Sequence, residues 1–300
     1  MGTVPAPQPS PGIVVAHDDL RIVRVGGSEA RRWLHDIVTS DVVSLAAGVR
    51  RPGLLLGPTG RIRAAFDLLG EEGDGVLLAQ GLDQPSVADL LRPYVLSADV
   101  QLTTVEDALL VSAPDDVAPA PAWRPSLATT GAGATSLVGL DRVDSLRAAA
   151  RTAGCIDRTP ADLEVARILA GVARFPVDLD AESLPAEAGW EGDRIDRTKG
   201  CFVGQETVAK VANAGHPTRV VLAVVAGGPV AARDAVLVGA TTVGVITSVA
   251  ADPDGGWRGL RRRARTGLSA RHAYYTRPRE IKTSPSGRPA GGLRSRPPAG

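Results

Sequence analysis

Lysine is almost missing from this chain of 300 residues. Only Lys199, Lys210 and Lys282 occur, so nearly all of the positive charge comes from arginine. Cysteine is as sparse, with Cys155 and Cys201 alone. Two thiols so far apart make no Cys-x-x-Cys pair, and they fall short of the ligand set that a protein-held iron–sulfur cluster needs. No run of about 18 apolar residues occurs, which excludes a membrane-spanning helix. Met1 to Gly12 is rich in proline and small residues and lacks the basic start and apolar block of a secretory signal. These absences point to the cytoplasm, where a Cys155–Cys201 disulfide is not expected. A Gly-x-Gly-x-x-Gly loop is also lacking, and with it the case for a Rossmann unit.

What is present is concentrated. The stretch Lys199-Gly200-Cys201-Phe202-Val203-Gly204-Gln205-Glu206-Thr207-Val208-Ala209-Lys210 holds two of the three lysines and one of the two cysteines. Its glycines, four apart, allow a tight backbone path. A thiol, an amide and a carboxylate follow within six positions and could face one small volume. A cysteine reacts as thiolate, which a nearby cation or a helix N-terminus favours. Lys199 stands two residues before Cys201, and Gln205 to Val211 reads as a helix opening just after it. Cys201 and Lys199 are therefore the candidate catalytic residues. The alternative is that Cys201 is a small apolar plug at the helix entrance. The four histidines (His17, His35, His216, His272) stand in no local signature with Cys201, so a Cys-His hydrolase has no support.

The segment Lys-Gly-Cys-(aromatic)-x-Gly-Gln-Glu resembles the signature of the YgfZ-like folate-binding proteins, relatives of the aminomethyltransferase (T-protein) of the glycine cleavage system. Two further segments are similar to that family. Arg167-Ile168-Leu169-Ala170-Gly171-Val172-Ala173-Arg174-Phe175 resembles its Arg-Ile-x-Ala-Gly-x-x-Arg stretch and is followed by Leu184-Pro185-Ala186-Glu187. Trp33-Leu34-His35-Asp36-Ile37-Val38-Thr39-Ser40-Asp41-Val42 resembles its N-terminal helix and Thr-x-Asp-Val exit. The likeness covers roughly residues 15 to 250. It implies maintenance of iron–sulfur enzymes, a link to tRNA modification, and tetrahydrofolate or another reduced folate as cofactor.

An apolar content of 44% in 300 residues suffices for one large or two to three small packed units. The net charge of +1 hides an asymmetry. Residues 258–300 carry twelve basic side chains against Glu280 alone, whereas residues 1–257 carry 22 basic and 32 acidic ones. Such a tail could grip phosphate backbones. Being full of Gly, Pro and Ser, it reads first as disordered and solvated. Nucleic acid is therefore expected as a partner only through this tail.

Leu20 to Val25 alternates as a strand, and Ser28 offers an N-cap for a helix with Ala30, Trp33, Leu34 and Ile37 on one face. Leu54–Leu56, Ile62–Leu69 and Val76–Gln80, separated by glycine turns, make a meander. A helix is expected over Asp83–Leu91, strands over Val100–Val105 and Ala108–Ser112, and a second helix over Asp141–Ala153. Thr159-Pro160-Ala161-Asp162 is a strong helix start, with Gly171 as its C-cap. Val220–Val225, Val236–Val238 and Thr242–Val249 supply later strands. The chain reads as α+β. The expected boundaries are a disordered N-terminus (1–12), an α+β unit (13–113), a Pro/Ala-rich connection (114–126), a second α+β part with the motif (127–218), a C-terminal portion (219–257) and the tail (258–300). The resemblance implies a cloverleaf of small units with a terminal β-barrel, which the break in texture after Leu260 would leave incomplete.

A reduced pterin presents an edge of paired donors and acceptors that a carboxylate or amide can meet. The glutamate tail of folate favours cations. The resemblance thus makes Lys199, Lys210, Arg167 and Arg174 candidates for that tail, and Gln205 and Glu206, with Gly200 and Gly204, candidates for holding the ligand or its loop. Glu206 could equally stabilise its own helix N-terminus, Arg167 could be a solvated helix residue, and Trp190 a ligand wall or a core residue. In the aminomethyltransferases a glycine turn is followed by two aspartates. Here Gly60-Arg61-Ile62-Arg63-Ala64-Ala65-Phe66-Asp67 puts Ala64 and Ala65 there, and Leu169 stands where relatives carry a Glu. Three functions compete: a folate-binding maintenance factor serving iron–sulfur client enzymes, an aminomethyltransferase, and a nucleic-acid binder working through the tail.

Overall fold

The computed structural model describes residues 12–114, 118, 122–125, 134–214, 217–238, 240–253, 255–264, 274–277 and 280–282. Residues 1–11, most of the Pro/Ala-rich connection and most of the basic tail lie outside the described residues. The chain divides into two units. The first comprises residues 12–58, 63–163 and 192–205, and the second residues 59–62, 164–191 and 206 onward.

The first unit is built on ten strands: β1 (Ile13–His17), β2 (Leu20–Gly26), β3 (Val49–Leu56), β4 (Ile62–Gly70), β5 (Val76–Gly81), β6 (Gln101–Val105), β7 (Ala108–Ala113), β8 (Ala122–Pro125), β9 (Ala134–Gly139) and β10 (Ile156–Arg158). They run in the order β10-β1-β7-β9-β8-β3-β4-β5-β2-β6. Pairing is antiparallel through β2, β4, β5 and β6, while β1–β10 and β3–β8 are parallel. Helices α1 (Ala30–Ile37), α2 (Val87–Leu91) and α3 (Leu140–Thr152) accompany the sheet. An eight-residue helix is marginal alone. Packing holds α1: Ala30, Leu34 and Ile37 are buried with Val23, Val25, Leu55, Phe66, Leu68 and Leu78 in one core. Full burial of a side chain such as Leu34 stabilises the fold by about 2 kcal/mol.

Two expectations fail here for local reasons. Ser28 does not cap α1. Its hydroxyl and its amide both donate to the Asp99 carboxylate, at 2.7 and 3.0 Å, and α1 starts two residues later with Glu29 in the cap position and no side-chain cap. The helix expected over Asp83–Leu91 shrinks to Val87–Leu91, since Pro85 disfavours a helical Gln84 before it.

The second unit holds most of α4 (Pro160–Leu169) and α5 (Gln205–Ala214), with the strands β11 (Arg219–Ala226), β12 (Ala235–Val238), β13 (Thr241–Ala251), β14 (Trp257–Ala264), β15 (Tyr274–Arg277) and β16 (Glu280–Lys282). The start of α4 forms as the sequence predicts. Asp162 accepts the Thr159 amide at 2.8 Å and returns its own amide to the Thr159 hydroxyl at 3.3 Å. Gly171 ends this stretch with φ +73°, a left-handed conformation that suits glycine.

The six strands order as β11-β14-β13-β12-β16-β15. The architecture is α+β as expected, but the terminal sheet is open and not a closed barrel. Strand β14 pairs with both β11 and β13, and so incorporates residues 258–264 of the segment that composition sets apart as tail. Leu260 and Arg261 are buried there. Among the described residues no helix is long and apolar enough to cross a membrane.

Candidate functional site

The polar constellation of the first unit begins at the end of α1. A helix leaves its last carbonyls without partners, and here no glycine follows to turn the chain back over them. Val38 leaves in an extended conformation, φ −92° and ψ 165°. The carbonyls are met from far along the chain. Lys199 Nζ donates to the carbonyl of His35 and, at 2.7 Å, to that of Val38. The Val203 amide reaches the Ile37 carbonyl at 3.4 Å. The Phe202 ring lies 5.4 Å from the same ammonium.

The flanks of this loop are tied down as well. Asp196 gathers the amides of Thr198 and Lys199 on one carboxylate oxygen, at 2.8 and 3.1 Å. The Asp196 amide donates to Thr39 O at 2.9 Å, and the Thr39 hydroxyl donates to Arg194 O at 2.6 Å. Thr39 also exchanges backbone and side-chain bonds with Leu54 of β3. The Thr-x-Asp-Val exit and the Lys-Gly-Cys segment are thus one hydrogen-bonded device. In sequence they are two motifs.

Burial draws the Lys199 ammonium down to about 8, while Asp36, Asp41, Asp196 and Cys201 push it the other way. It is protonated at neutral pH. Cys201 is exposed. A Cβ added at Gly200 would meet open space, so no packing demands a glycine there. Gly204, at φ +83°, is needed for its backbone. Gln205 opens α5 and is exposed; its side-chain oxygen accepts the Phe202 amide at 3.3 Å.

The remaining candidates lie in the second unit. Glu206 and Lys210 pair across one helical turn at 2.6 Å, both largely exposed. The Lys210 charge lowers the Glu206 pKa, chiefly through that hydrogen bond. Arg167 is not a solvated helix residue. Its guanidinium bonds Glu164, Asp178 at 2.7 Å, Ser248 at 2.9 Å and the Val172 carbonyl. Every edge is in use, so the free cation expected for a ligand's tail is not found there. Arg174 gives its amide to Asp178 at 2.9 Å and stands 3.5 Å from Glu164. Trp190 is buried. A shallow recess lined by Leu184, Pro185, Ala186, Glu191, Thr207, Val208 and Val211 has a volume of about 10 Å³, room for about one water and far below an ordinary ligand site.

Ala64 and Ala65 are both buried in β4, and Asp67 further along the strand is engaged. Its carboxylate bonds Arg50 Nε at 3.0 Å. Burial raises the Asp67 pKa, but Arg50 and Arg194 outweigh it and hold the group below the usual carboxylate range. Arg50 continues to Thr135 (3.3 Å), Thr135 to Ser112 (3.0 Å) and Ser112 to His17 (2.9 Å). Composition gave no sign of this row, because its members come from five strands. Burial and Arg50 lower the His17 imidazole to about 4, against Asp67 and Asp18. Among the described residues no group of His, Cys, Asp or Glu could hold a metal ion.

In fold, the chain matches the crystal structure of the glycine cleavage system aminomethyltransferase T from Bartonella henselae. The TM-score is 0.73 at 17% identity, over 85% of this chain and 79% of that one. The chain therefore has a mixed α+β fold of the aminomethyltransferase T kind. In sequence it is 29% identical over 213 residues to the tRNA-modifying protein YgfZ of Vibrio vulnificus, over 64% of each chain. It spans less than two thirds of that relative's length. No protein-family model matches. The chain is thus similar in sequence to a YgfZ protein and in fold to an aminomethyltransferase T, the two kinds of protein that its motifs resemble.

Proposed function

We propose that this chain is a folate-binding protein of the YgfZ type that supports the maintenance or assembly of iron–sulfur enzymes in the cytoplasm, with a link to tRNA modification such as its relative's name carries. The observation that supports it most is the docked loop. Lys199 and Val203 anchor the segment on α1 at both ends, and Cys201 stands exposed between them. The residues fit a reduced folate in part. Gly200 leaves open space beside the exposed thiol, and the Gln205 carboxamide, whose oxygen is used by Phe202, keeps its NH₂ donors for a pterin edge. Among the candidate cations for a glutamate tail Lys210 is exposed and holds only the exposed Glu206, whereas Arg167 is spent on Asp178 and Glu164. A bound folate would supply one-carbon or redox chemistry; the chain's own part is to bind and orient it.

Aminomethyl transfer is the weaker reading. Alanine accepts no proton, and Asp67 is held by Arg50. Calorimetric titration with tetrahydrofolate and its one-carbon derivatives tests the proposal. Modest heats of binding are expected, and silence at millimolar folate would overturn it. With lipoyl carrier protein and tetrahydrofolate no turnover is expected; activity surviving Asp67→Ala would restore the transferase.

A further inference from the structure

We propose that Lys199 is a positioning residue: together with the Val203 amide it closes the C-terminal end of α1 and so fixes the loop that presents Cys201. The proposal rests on the reading of Cys201 as the working group of that loop. It departs from the sequence expectation, in which the lysine serves the thiol directly.

The donors of the ammonium decide the matter. Lys199 Nζ is bonded to the carbonyls of His35 and Val38, from 161 residues away along the chain in the second case, with the Phe202 ring on a further side. Its directional bonds are thus taken up by the end of α1. That end is where a cation belongs, since a helix C-terminus carries partial negative charge. The one basic side chain in the last turn of α1 is otherwise engaged. His35 Nδ1 accepts the Val42 amide at 3.2 Å. The Leu34 carbonyl takes the Val38 amide at 3.0 Å. The carbonyls of His35, Ile37 and Val38 would be left to water without the loop. The charged groups around Lys199 are Asp36 of α1, Asp41 beyond it, and Asp196 of the loop itself, which also fixes the Lys199 amide. Cys201 has anchors two residues to either side, while Gly200 adds no side-chain restraint of its own. The clamp, and not Cys201's own packing, sets where the thiol stands.

The test needs no folate, so its failure is separable from failure of the functional proposal. Hydrogen exchange at the Val203 amide and alkylation of Cys201 across pH are measured in wild type, Lys199→Met and Lys199→Arg, all on a Cys155→Ser background. The Met variant is expected to exchange Val203 about tenfold faster or more, the worth of one lost clamp bond. The Arg variant, which keeps donors for both carbonyls, should restore protection. Where the thiol is fully ionised, labelling of Cys201 should be faster in the Met variant and return to the wild-type rate in the Arg variant. Unchanged Val203 exchange would show that Lys199 holds nothing. Plateau rates equal in all three proteins, with only a curve displaced to higher pH in the Met variant, would show that the lysine acts on the thiol by its charge alone. Should Lys199→Met fail to fold, Lys199→Gln, with a donor for one carbonyl, carries the same readouts.

Discussion

Lys199 in the first unit and Arg167 in the second are both cations beside a family motif, and both are consumed by their own chain, yet they leave different surroundings. Arg167 meets carboxylates. Glu164 and the fully buried Asp178 share it, Ser248 joins them, and the cluster closes on itself. Lys199 meets backbone carbonyls at a helix end, and the next residue but one stays in solvent with a thiol. A cation satisfied by acids builds a core, whereas one satisfied by neutral carbonyls can hold a surface loop in place. Residue type near a motif does not tell these apart. The partners do.

The contrast is broken most severely at Asp178. This carboxylate, with no exposed side-chain surface, accepts from Arg167, from the Arg174 amide at 2.9 Å and from the hydroxyls of Thr247 and Ser248. Asp178→Ala leaves the Arg167 charge short of a partner in a buried place, which costs about 3–5 kcal/mol. Guanidinium denaturation followed by circular dichroism should show that loss. A change under about 1 kcal/mol would mean that water replaces the acid, and the second unit would not be closed by charge.

The sequence foretold this cluster in part. Arg167 and Arg174 were visible as motif members, but Asp178 lies beyond the Arg167–Phe175 segment, and Thr247 and Ser248 come from β13, some 70 residues on. Elements with strong local signals were readable: the α4 start at Thr159 and Asp162, the alternation of β2, the glycine turns that bound β4, the glycine end at Gly171. Strands β1, β8, β9, β10 and β14 to β16 escaped: Ala122–Pro125 reads as connection, Ile156–Arg158 is only three residues long, and β14 to β16 fall in or at the edge of the stretch that composition marks as tail. Of the site, the motif residues were found and their use was not. Long-range partners such as His35 O and Val38 O are backbone atoms, which carry no residue-type signal.

A second probe sharpens the comparison from within the first unit. His17 is half-buried near Arg50, and its folded pKa, about 4, lies below the 6.5 of an unfolded histidine. The folded state therefore binds this proton less readily. Its contribution is complete above pH 6.5 and is lost as the pH falls toward 4, by up to about 3 kcal/mol. His17→Gln, which can still bond Ser112, should flatten that dependence. Denaturation midpoints of the two proteins at pH 7.5 and 4.5 give the answer, because every other acid-sensitive group cancels in the difference. Equal losses in both would place the imidazole in water, and the row from His17 to Asp67 would then be a surface feature.

The gentlest change separates clamp from core. Thr39 is wholly buried; its hydroxyl donates to Arg194 O and accepts the Leu54 amide at 2.9 Å, while its carbonyl takes the Asp196 amide. Thr39→Val keeps the volume and the backbone bonds and removes the hydroxyl alone. Two buried polar groups lose a partner, at a cost of about 1–3 kcal/mol. The loss should be uneven. Exchange at the Asp196 and Val203 amides ought to rise more than exchange in the core strands β4 and β5, since the hydroxyl ties the loop's approach to the sheet and not the sheet to itself. Thr39→Ser, which restores the hydroxyl, should return both amides to wild-type protection. If protection fell equally in β4 and β5, Thr39 would belong to the core, and the loop would depend on Lys199 and Val203 alone.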